Sequence, residues 1–168
     1  MNIITNYDQI IIKPNHLIVL DIDETTLKYP MINDKWWKYN NETFGNDYAY
    51  NLWLDIVNSN YPKILDSQKF FDFIDKAEQF NCKIVFLTAR YIELKQITLD
   101  HLRACNIKVD DNDVYFNSEK GKEILKIIKN YNYNNYIFVD DVKKNIDNVL
   151  NSVDNIDVYL MEHDNLYI

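Results

Sequence analysis

Acidic residues stand in two short groups, each directly after a run of apolar residues. The first run reads LIVLDIDETTL and contains Asp21, Asp23 and Thr25 at its polar end, and a later run reads YIFVDD and ends in Asp140 and Asp141. Clustered carboxylates repel one another unless a cation lies among them, and oxygen ligands without His or Cys favour Mg²⁺. The two groups therefore predict a magnesium site, provided that the fold brings them together.

Two further polar features lie between the acidic groups. The apolar run KIVFLTAR ends in Thr88, followed directly by Ala89 and Arg90, and Lys120 precedes Gly121 at the start of a helical segment. A threonine hydroxyl and a fixed positive charge can both bind phosphoryl oxygens, which is most of what phosphoryl transfer requires of a protein. These residues are our candidates for the binding of a phosphate group.

Some of these assignments have alternatives. Lys122 competes with Lys120 as the phosphate-binding lysine, and Lys120 is favoured because it lies at the start of the helix. Arg90 is as well suited to an ion pair with a nearby carboxylate as to a substrate contact. The histidines are scattered without metal-ligand spacing, at His16, His101 and His163.

Alternating strands and helices are expected to position these residues. Short apolar runs predict buried strands at 17–20, 84–87, 114–116 and 136–139, with a fifth at 156–160. Segments of helical length follow at 66–80, 91–104, 118–129 and 143–153. The alternation predicts an α/β fold, a three-layer Rossmann-like parallel sheet covered by helices on both faces, whose strand ends converge on one crevice.

Residues 28–65 interrupt the alternation. They hold all three tryptophans and two of the three prolines, and short helices are predicted near 34–39 and 48–58. We interpret this segment as a small cap-like helical insertion after the first strand, within a single domain spanning residues 1–168. Its aromatic side chains fit either the core of that cap or a surface that stacks on a nucleobase or an aromatic leaving group.

The motifs resemble those of a known superfamily. DIDET after a strand, Thr after the next, a Lys-Gly helix start and DD after a later strand, in that order, are similar to the four motifs of the haloacid dehalogenase (HAD) superfamily. The resemblance covers about residues 16–150 and is greatest to the phosphatase branch, although Glu24 stands where Gly is common. Receiver domains use similar residues, but there the acidic pair comes first and the lysine last.

The resemblance implies a role for each motif residue. Asp21 would be the nucleophile and Asp23 the acid/base, while the Thr and Lys of the second and third motifs would bind phosphate. The implied ligands of Mg²⁺ are Asp21, the backbone carbonyl of Asp23, and the pair Asp140 and Asp141. The long gap after the first motif implies that any cap is inserted there.

The implied activity is Mg²⁺-dependent hydrolysis of a phosphate monoester, a small molecule or nucleotide, through an aspartyl-phosphate intermediate. A nucleic acid 3′-phosphatase is the alternative, because the Thr-Ala-Arg segment is similar to the second motif of polynucleotide kinase phosphatase domains. A net charge of −8 disfavours a nucleic acid partner. The other alternative is a non-catalytic phosphate-binding HAD-like protein, which would not need the second aspartate.

The expected setting is the cytoplasm. The tryptophan and proline order of the insertion is similar to that of secreted acid phosphatases of the superfamily, but the N-terminus shows no signal-peptide pattern. No apolar run approaches the roughly 20 residues that span a bilayer, so no membrane partner is expected. Cys82 and Cys105 form no CxxC pair and are expected to be reduced. The sequence leaves the oligomeric state undetermined.

Overall fold

A computed structural model describes residues 1–162 of the protein, and His163 lies outside them. In chain order the strands of this part are β1 (Asn2–Ile4), β2 (His16–Leu20), β3 (Leu27–Lys28), β4 (Lys63–Ile64), β5 (Lys83–Thr88), β6 (Val114–Phe116), β7 (Asn135–Asp140) and β8 (Ile156–Met161). Six of them form a parallel sheet in the order β1-β8-β7-β2-β5-β6, and β3 pairs with β4 in a separate antiparallel ribbon.

Helices fill the connections between the strands. Over residues 1–162 the α-helices are α1 (Asp34–Phe44), α2 (Asn46–Ser59), α3 (Ser67–Gln79), α4 (Lys95–Ala104), α5 (Lys120–Asn130) and α6 (Lys143–Leu150). The Asp66 side chain caps α3 by accepting a hydrogen bond from the Lys69 N–H at 3.2 Å. Gly45 joins α1 to α2 with a φ of 90°, a conformation that favours glycine.

The residues of β2 alternate between two cores. Ile18 and Leu20 face one side with Phe70 and Phe73 of α3, whereas Leu17 and Val19 face the other side. The second side is packed by α5 and α6, through Ile124, Ile127, Ile146 and Val149. Side chains of successive strand residues point to opposite faces, so both faces of the sheet are buried. The predicted three-layer α/β fold is confirmed.

The predicted elements differ from the observed ones mainly at their ends. All five predicted strands are present, and most extend by one residue beyond the apolar run at one or both ends. The segment predicted as a helix at 91–104 begins with a 3₁₀ turn at Ile92–Leu94, and α6 ends at Leu150 rather than at 153. Strands β1, β3 and β4 were not predicted, because two or three residues are too few to show a periodic pattern.

The remaining expectations concern the cysteine thiols and membrane-spanning segments. Both cysteines are free and half-buried. Among residues 1–162, no helix has the length and apolar character that crossing a membrane requires.

Candidate active site

The three central strands end side by side. Strand β2 lies between β5 and β7, and Leu20 is in register with Phe86 on one side and Val139 on the other. The next residue, Asp21, donates its backbone N–H to the carbonyl of Val139 at 2.9 Å. Parallel strands present their carboxyl ends at one edge, so Asp21 lies at the same edge as the ends of β5 and β7.

Lys120 lies inside this cluster. Its side chain is fully buried, and Nζ donates to Asp21 Oδ1 at 2.6 Å and to the carbonyl of Leu87 at 2.5 Å. Nζ also lies 3.8 Å from Asp140 Oδ2. Lys122, the alternative, is 73% exposed at its side chain and pairs with Glu119 at 3.4 Å. The geometry therefore favours Lys120 as the cation of the site.

Three carboxylates converge next to Lys120. Asp21, Asp140 and Asp141 each offer an oxygen, and these oxygens all lie within 4.8 Å of one another. Burial raises the pKa of Asp21; it also raises that of Asp140 to about 7 and that of Asp141 to about 9, with the Asp21 charge adding to both. A buried group of acidic oxygens that repel one another is an environment in which a hard divalent cation is stabilised.

Neighbouring polar groups fix the acidic pair. Asn145 Nδ2 donates to both oxygens of Asp140 at 3.0 Å, and the N–H of Val142 donates to Oδ1 at 2.8 Å. The Thr25 hydroxyl accepts from the N–H of Asp141 at 3.0 Å and lies 3.2 Å from Asp141 Oδ1. The orientation of both carboxylates is thus set before any ligand arrives.

The loop after Asp21 is held by its own threonines. Thr26 Oγ1 donates to the carbonyl of Asp21 at 2.7 Å, and the Tyr7 hydroxyl donates to the carbonyl of Thr25 at 3.0 Å. Glu24 has a φ of 57°, in the left-handed region that favours glycine. The Gly common at this position in the superfamily would meet that requirement without strain.

Asp23 points to different partners. Its carboxylate is not part of the three-carboxylate cluster; instead Arg90 Nε donates to Oδ2 at 2.9 Å and an Arg90 terminal nitrogen to Oδ1 at 2.6 Å. Thr88 Oγ1 lies 3.5 Å from Asp23 Oδ2 and accepts from the N–H of Arg90 at 3.1 Å. Of the two uses considered for Arg90, the structure contains the ion pair. Ala89 is exposed between two buried neighbours.

Some aromatic side chains of the insertion form a small buried core. Trp53 and Tyr29 are buried with Val57, and Trp37 lies 6.3 Å from Trp53 between ring centroids. At the edge of the insertion, the ring centroid of Tyr50 lies 5.5 Å from that of Tyr91, which follows β5. The Tyr91 side chain is exposed, at 64%. The tryptophans mainly pack within the insertion, and Trp53 also lies 5.7 Å from the Arg90 guanidinium, measured to the ring centroid.

Gly121 permits close contact between α5 and α6. Its N–H donates to Asn148 Oδ1 at 2.7 Å, and a Cβ on Gly121 would lie 2.5 Å from Ser152 Oγ and 2.8 Å from the carbonyl oxygen of Asn148. The glycine that follows Lys120 is therefore required by packing.

Gly121→Ala is expected to lower the free energy of unfolding by about 1–3 kcal/mol, because the added methyl overlaps backbone as well as side chain. The measurement is urea denaturation followed by circular dichroism. Adding Ser152→Gly should recover part of the loss, since the Ser152 overlap is removed while the Asn148 overlap remains. An unchanged denaturation midpoint in Gly121→Ala would contradict the close approach.

Some contacts of the site were not expected from the sequence. Asn145 could be placed from the sequence at the start of the helix after the acidic pair, together with Lys143 and Lys144, but its contact with Asp140 was not predicted. Tyr7, Tyr29 and His101 belong to no motif and come together only through the fold. Chemically, the site offers a buried carboxylate beside a lysine, three acidic oxygens that could hold a cation, and a further carboxylate, that of Asp23, outside this cluster.

Comparisons with known proteins show what the chain is similar to. Residues 1–155 match the sequence model of a protein family, described as HAD superfamily, subfamily IIIB (acid phosphatase). No curated protein gave a significant match to the chain.

Solved structures share the fold. The class C acid phosphatase from Bacillus anthracis is 18% identical, with a TM-score of 0.56 over 93% of this chain and 69% of that one. Its tungstate-bound form is 19% identical, with a TM-score of 0.57 over 93% of this chain and 69% of that one. DsGPDH of Dunaliella salina is 14% identical, with a TM-score of 0.56 over 89% of this chain and 25% of that one.

Proposed function

Since the chain belongs to subfamily IIIB of the HAD superfamily, the acid phosphatases, and is therefore a phosphoric monoester hydrolase, we propose that it transfers the phosphoryl group of a small phosphate ester to Asp21 and then to water. The observation that supports this most is the different setting of two carboxylates two residues apart. Asp21 lies among acidic oxygens beside Lys120, whereas Asp23 points away from them.

Each residue has a role in two steps. In the first, the Asp21 carboxylate attacks phosphorus while Asp23 gives a proton to the departing ester oxygen. In the second, Asp23 takes a proton from the water that attacks the aspartyl phosphate, and Asp21 is regenerated. Lys120 and the Thr88 hydroxyl lie beside these two carboxylates, where they can bind the phosphoryl oxygens. We propose that Ala89, which is exposed next to Thr88, contributes to the same binding.

We propose Mg²⁺ as the cation of the site. Asp21, the Asp23 carbonyl, Asp140 and Asp141 would hold it, and the three carboxylate oxygens within 4.8 Å of one another fit a hard cation. When bound, the ion supplies positive charge that offsets the repulsion between the carboxylates and an incoming phosphate.

Asp140→Ala is expected to abolish Mg²⁺ binding, because it removes a ligand that Asn145 holds in place. Isothermal titration calorimetry of the purified protein with MgCl₂ measures this. Asp113→Ala is the matched control: Asp113 is also buried, but it pairs with Lys83 at 2.5 Å outside the acidic cluster. Unchanged Mg²⁺ affinity in Asp140→Ala would rule out this ligand set.

The activity itself is tested with a panel of phosphomonoesters. The wild-type protein is expected to release inorganic phosphate from at least one small ester in MgCl₂ and to stop when EDTA is added. The panel includes a nucleoside monophosphate, phenyl phosphate, glycerol phosphate and a 3′-phosphorylated oligonucleotide. Preference for the oligonucleotide would support the 3′-phosphatase alternative, and phosphate binding without release would support a non-catalytic protein.

We also propose that residues 28–65 form a cap that selects the substrate within a single domain. The segment contains none of the motif residues, and its α2 places Trp53 at 5.7 Å from the Arg90 guanidinium, measured to the ring centroid. Tyr50 of α2 and Tyr91 after β5 form a pair of rings on this side. Such rings can stack on an aromatic leaving group.

Tyr91→Ala is expected to reduce kcat/KM for phenyl phosphate about 10-fold relative to glycerol phosphate, because an aromatic contact of about 1–3 kcal/mol is lost for the first ester only. Steady-state kinetics with both esters measures the ratio. Tyr39→Ala is the control, since Tyr39 is 62% exposed on α1 and contacts Phe44 instead. Equal losses on both esters would show that Tyr91 has only a structural role.

A further inference from the structure

The Asp23 carboxylate makes its two shortest contacts with one buried side chain, that of Arg90. Arg90 donates to each of its oxygens, at 2.6 and 2.9 Å, and only 1% of the Arg90 side chain is exposed, against 29% for Asp23. A guanidinium fork of this kind fixes the plane of a carboxylate as well as its position. The direction in which Asp23 presents its proton therefore depends on how Arg90 is held.

Arg90 is held by neutral groups behind it. Nη1 donates to the Thr98 hydroxyl at 3.0 Å, and Nη2, which also binds Asp23, donates to the Tyr29 hydroxyl at 3.3 Å. Tyr29 and Thr98 are both buried. Since the Tyr29 oxygen accepts from a guanidinium that has no acceptor of its own, the phenol must give its proton to another group.

That group is His101. Its Nδ1 lies 2.7 Å from the Tyr29 hydroxyl, with both side chains buried. For Nδ1 to accept the phenol proton, the imidazole must be neutral with its hydrogen on Nε2. Burial and the nearby Arg90 charge lower the pKa of His101 to about 4, while Asp23 and Asp100 oppose this change, so the ring is neutral near pH 7.

We propose that Tyr29 and His101 are positioning residues for proton transfer: the chain from His101 through Tyr29 to Arg90 fixes the orientation in which the Asp23 carboxyl meets the ester oxygen. The inference rests on the proposed role of Asp23. In the step concerned, the bond from phosphorus to the ester oxygen breaks as the bond to Asp21 forms, and the Asp23 proton moves to the departing oxygen. Asp23 is left ionised, and both of its oxygens then accept from the Arg90 guanidinium.

The hydrogen bonds from Arg90 through Tyr29 to His101 allow only one assignment of donors and acceptors. Arg90 can only donate, the Tyr29 oxygen accepts from it, and the phenol proton has His101 as its acceptor. Replacing Tyr29 by Phe leaves the Arg90 fork without one contact and the imidazole nitrogen without its donor. A displacement of the guanidinium would then rotate the Asp23 carboxylate, and small displacements of a catalytic group reduce rates strongly.

Leaving-group dependence separates positioning from general structural damage. The phenolate that leaves phenyl phosphate is basic and needs a proton from a general acid. The 2,4-dinitrophenolate that leaves 2,4-dinitrophenyl phosphate is a stable anion and needs little protonation. In Tyr29→Phe, we expect kcat/KM to fall about 10-fold or more for phenyl phosphate, with a several-fold smaller loss for the dinitrophenyl ester. His101→Leu should give the same pattern, and His101→Asn, whose side-chain oxygen can replace Nδ1 as acceptor, should largely restore the ratio.

The controls make each failure distinct. Tyr131→Phe removes a hydroxyl that donates to Asp113 at 2.9 Å, away from the acidic cluster, and should leave the ratio of the two esters unchanged. Asp23→Asn should show the leaving-group effect in a stronger form. If the wild-type protein hydrolyses neither these two esters nor any other ester of the panel, the proposed function is wrong. The positioning inference is overturned by a second outcome, in which wild type and Asp23→Asn behave as expected. In that outcome, Tyr29→Phe and His101→Leu lower kcat/KM equally for both esters or do not lower it for either. His101→Asn keeps the test open should Tyr29→Phe not fold.

Discussion

Asp21→Asn is expected to lower kcat for any phosphomonoester by more than about 10³-fold, because the amide keeps the shape of the side chain but is no longer a nucleophile. The wild-type carboxylate is buried against Lys120 at 2.6 Å, and its pKa is raised by that burial, so its ionised form is poorly solvated. Asp140 Oδ2 stays 3.8 Å from Lys120 Nζ in this variant, so the buried lysine keeps a carboxylate partner and Asp21→Asn is expected to stay folded. Initial rates of phosphate release measure the loss.

Circular dichroism and thermal denaturation should show that Asp21→Asn keeps its fold. In wild type, a short pulse with a ³²P-labelled ester followed by acid quenching should leave label on the protein, and Asp21→Asn should carry none. Hydrolysis at the wild-type rate in Asp21→Asn would remove Asp21 from the role of nucleophile. Labelled Asp21→Asn protein would place the phosphoryl acceptor elsewhere.

Lys120→Met is expected to have the second large effect, on stability as well as on rate. Met has a similar length but no charge, so Asp21 and Asp140 would lose the cation that lies 2.6 and 3.8 Å from their oxygens. Removing one partner from a buried ion pair typically lowers the free energy of unfolding by about 3–5 kcal/mol. Urea denaturation at pH 7.5, without added metal, measures this loss, and phosphate release measures a fall in kcat of about 10²-fold or more.

Lys122→Met is the matched control for Lys120→Met. The two lysines are separated only by Gly121, but the Lys122 side chain is 73% exposed and its partner Glu119 is also largely exposed. Exposed ion pairs contribute about 0–1 kcal/mol, so the denaturation midpoint and kcat should both stay close to wild type. Equal effects in the two variants would show that the buried position of Lys120 is not what matters.

The sequence was sufficient for the central part of the fold. Apolar runs at β2, β5 and β7 are long enough to be recognised, and because they pair as parallel neighbours their polar ends must share an edge. The order of motifs then indicated the superfamily, which the family match confirms. The similarity of the tryptophan-rich insertion to acid phosphatases agrees with the subfamily found. The individual catalytic and metal-binding roles stay predictions.

The rest depends on contacts between positions that no pattern connects. Tyr29 follows β3 directly and His101 lies on α4, and they meet although they are 72 residues apart in the chain. Each residue type is common in cores without any such role. The partner of Arg90 could not be chosen from the sequence, because a guanidinium is suited to substrate and carboxylate alike. The structure decides it through two short contacts to Asp23.

The contacts that assemble the site also have a kinetic consequence. Lys120 meets Asp21 across 99 residues and Asp141 meets Thr25 across 116, so the site exists only after the parallel pairing of distant strands. Closing loops of this length opposes early formation of such contacts. A ligand that requires the complete site cannot guide the first stages of folding. The proposed cation should accordingly slow unfolding, by stabilising only the native state, and leave the refolding rate nearly unchanged.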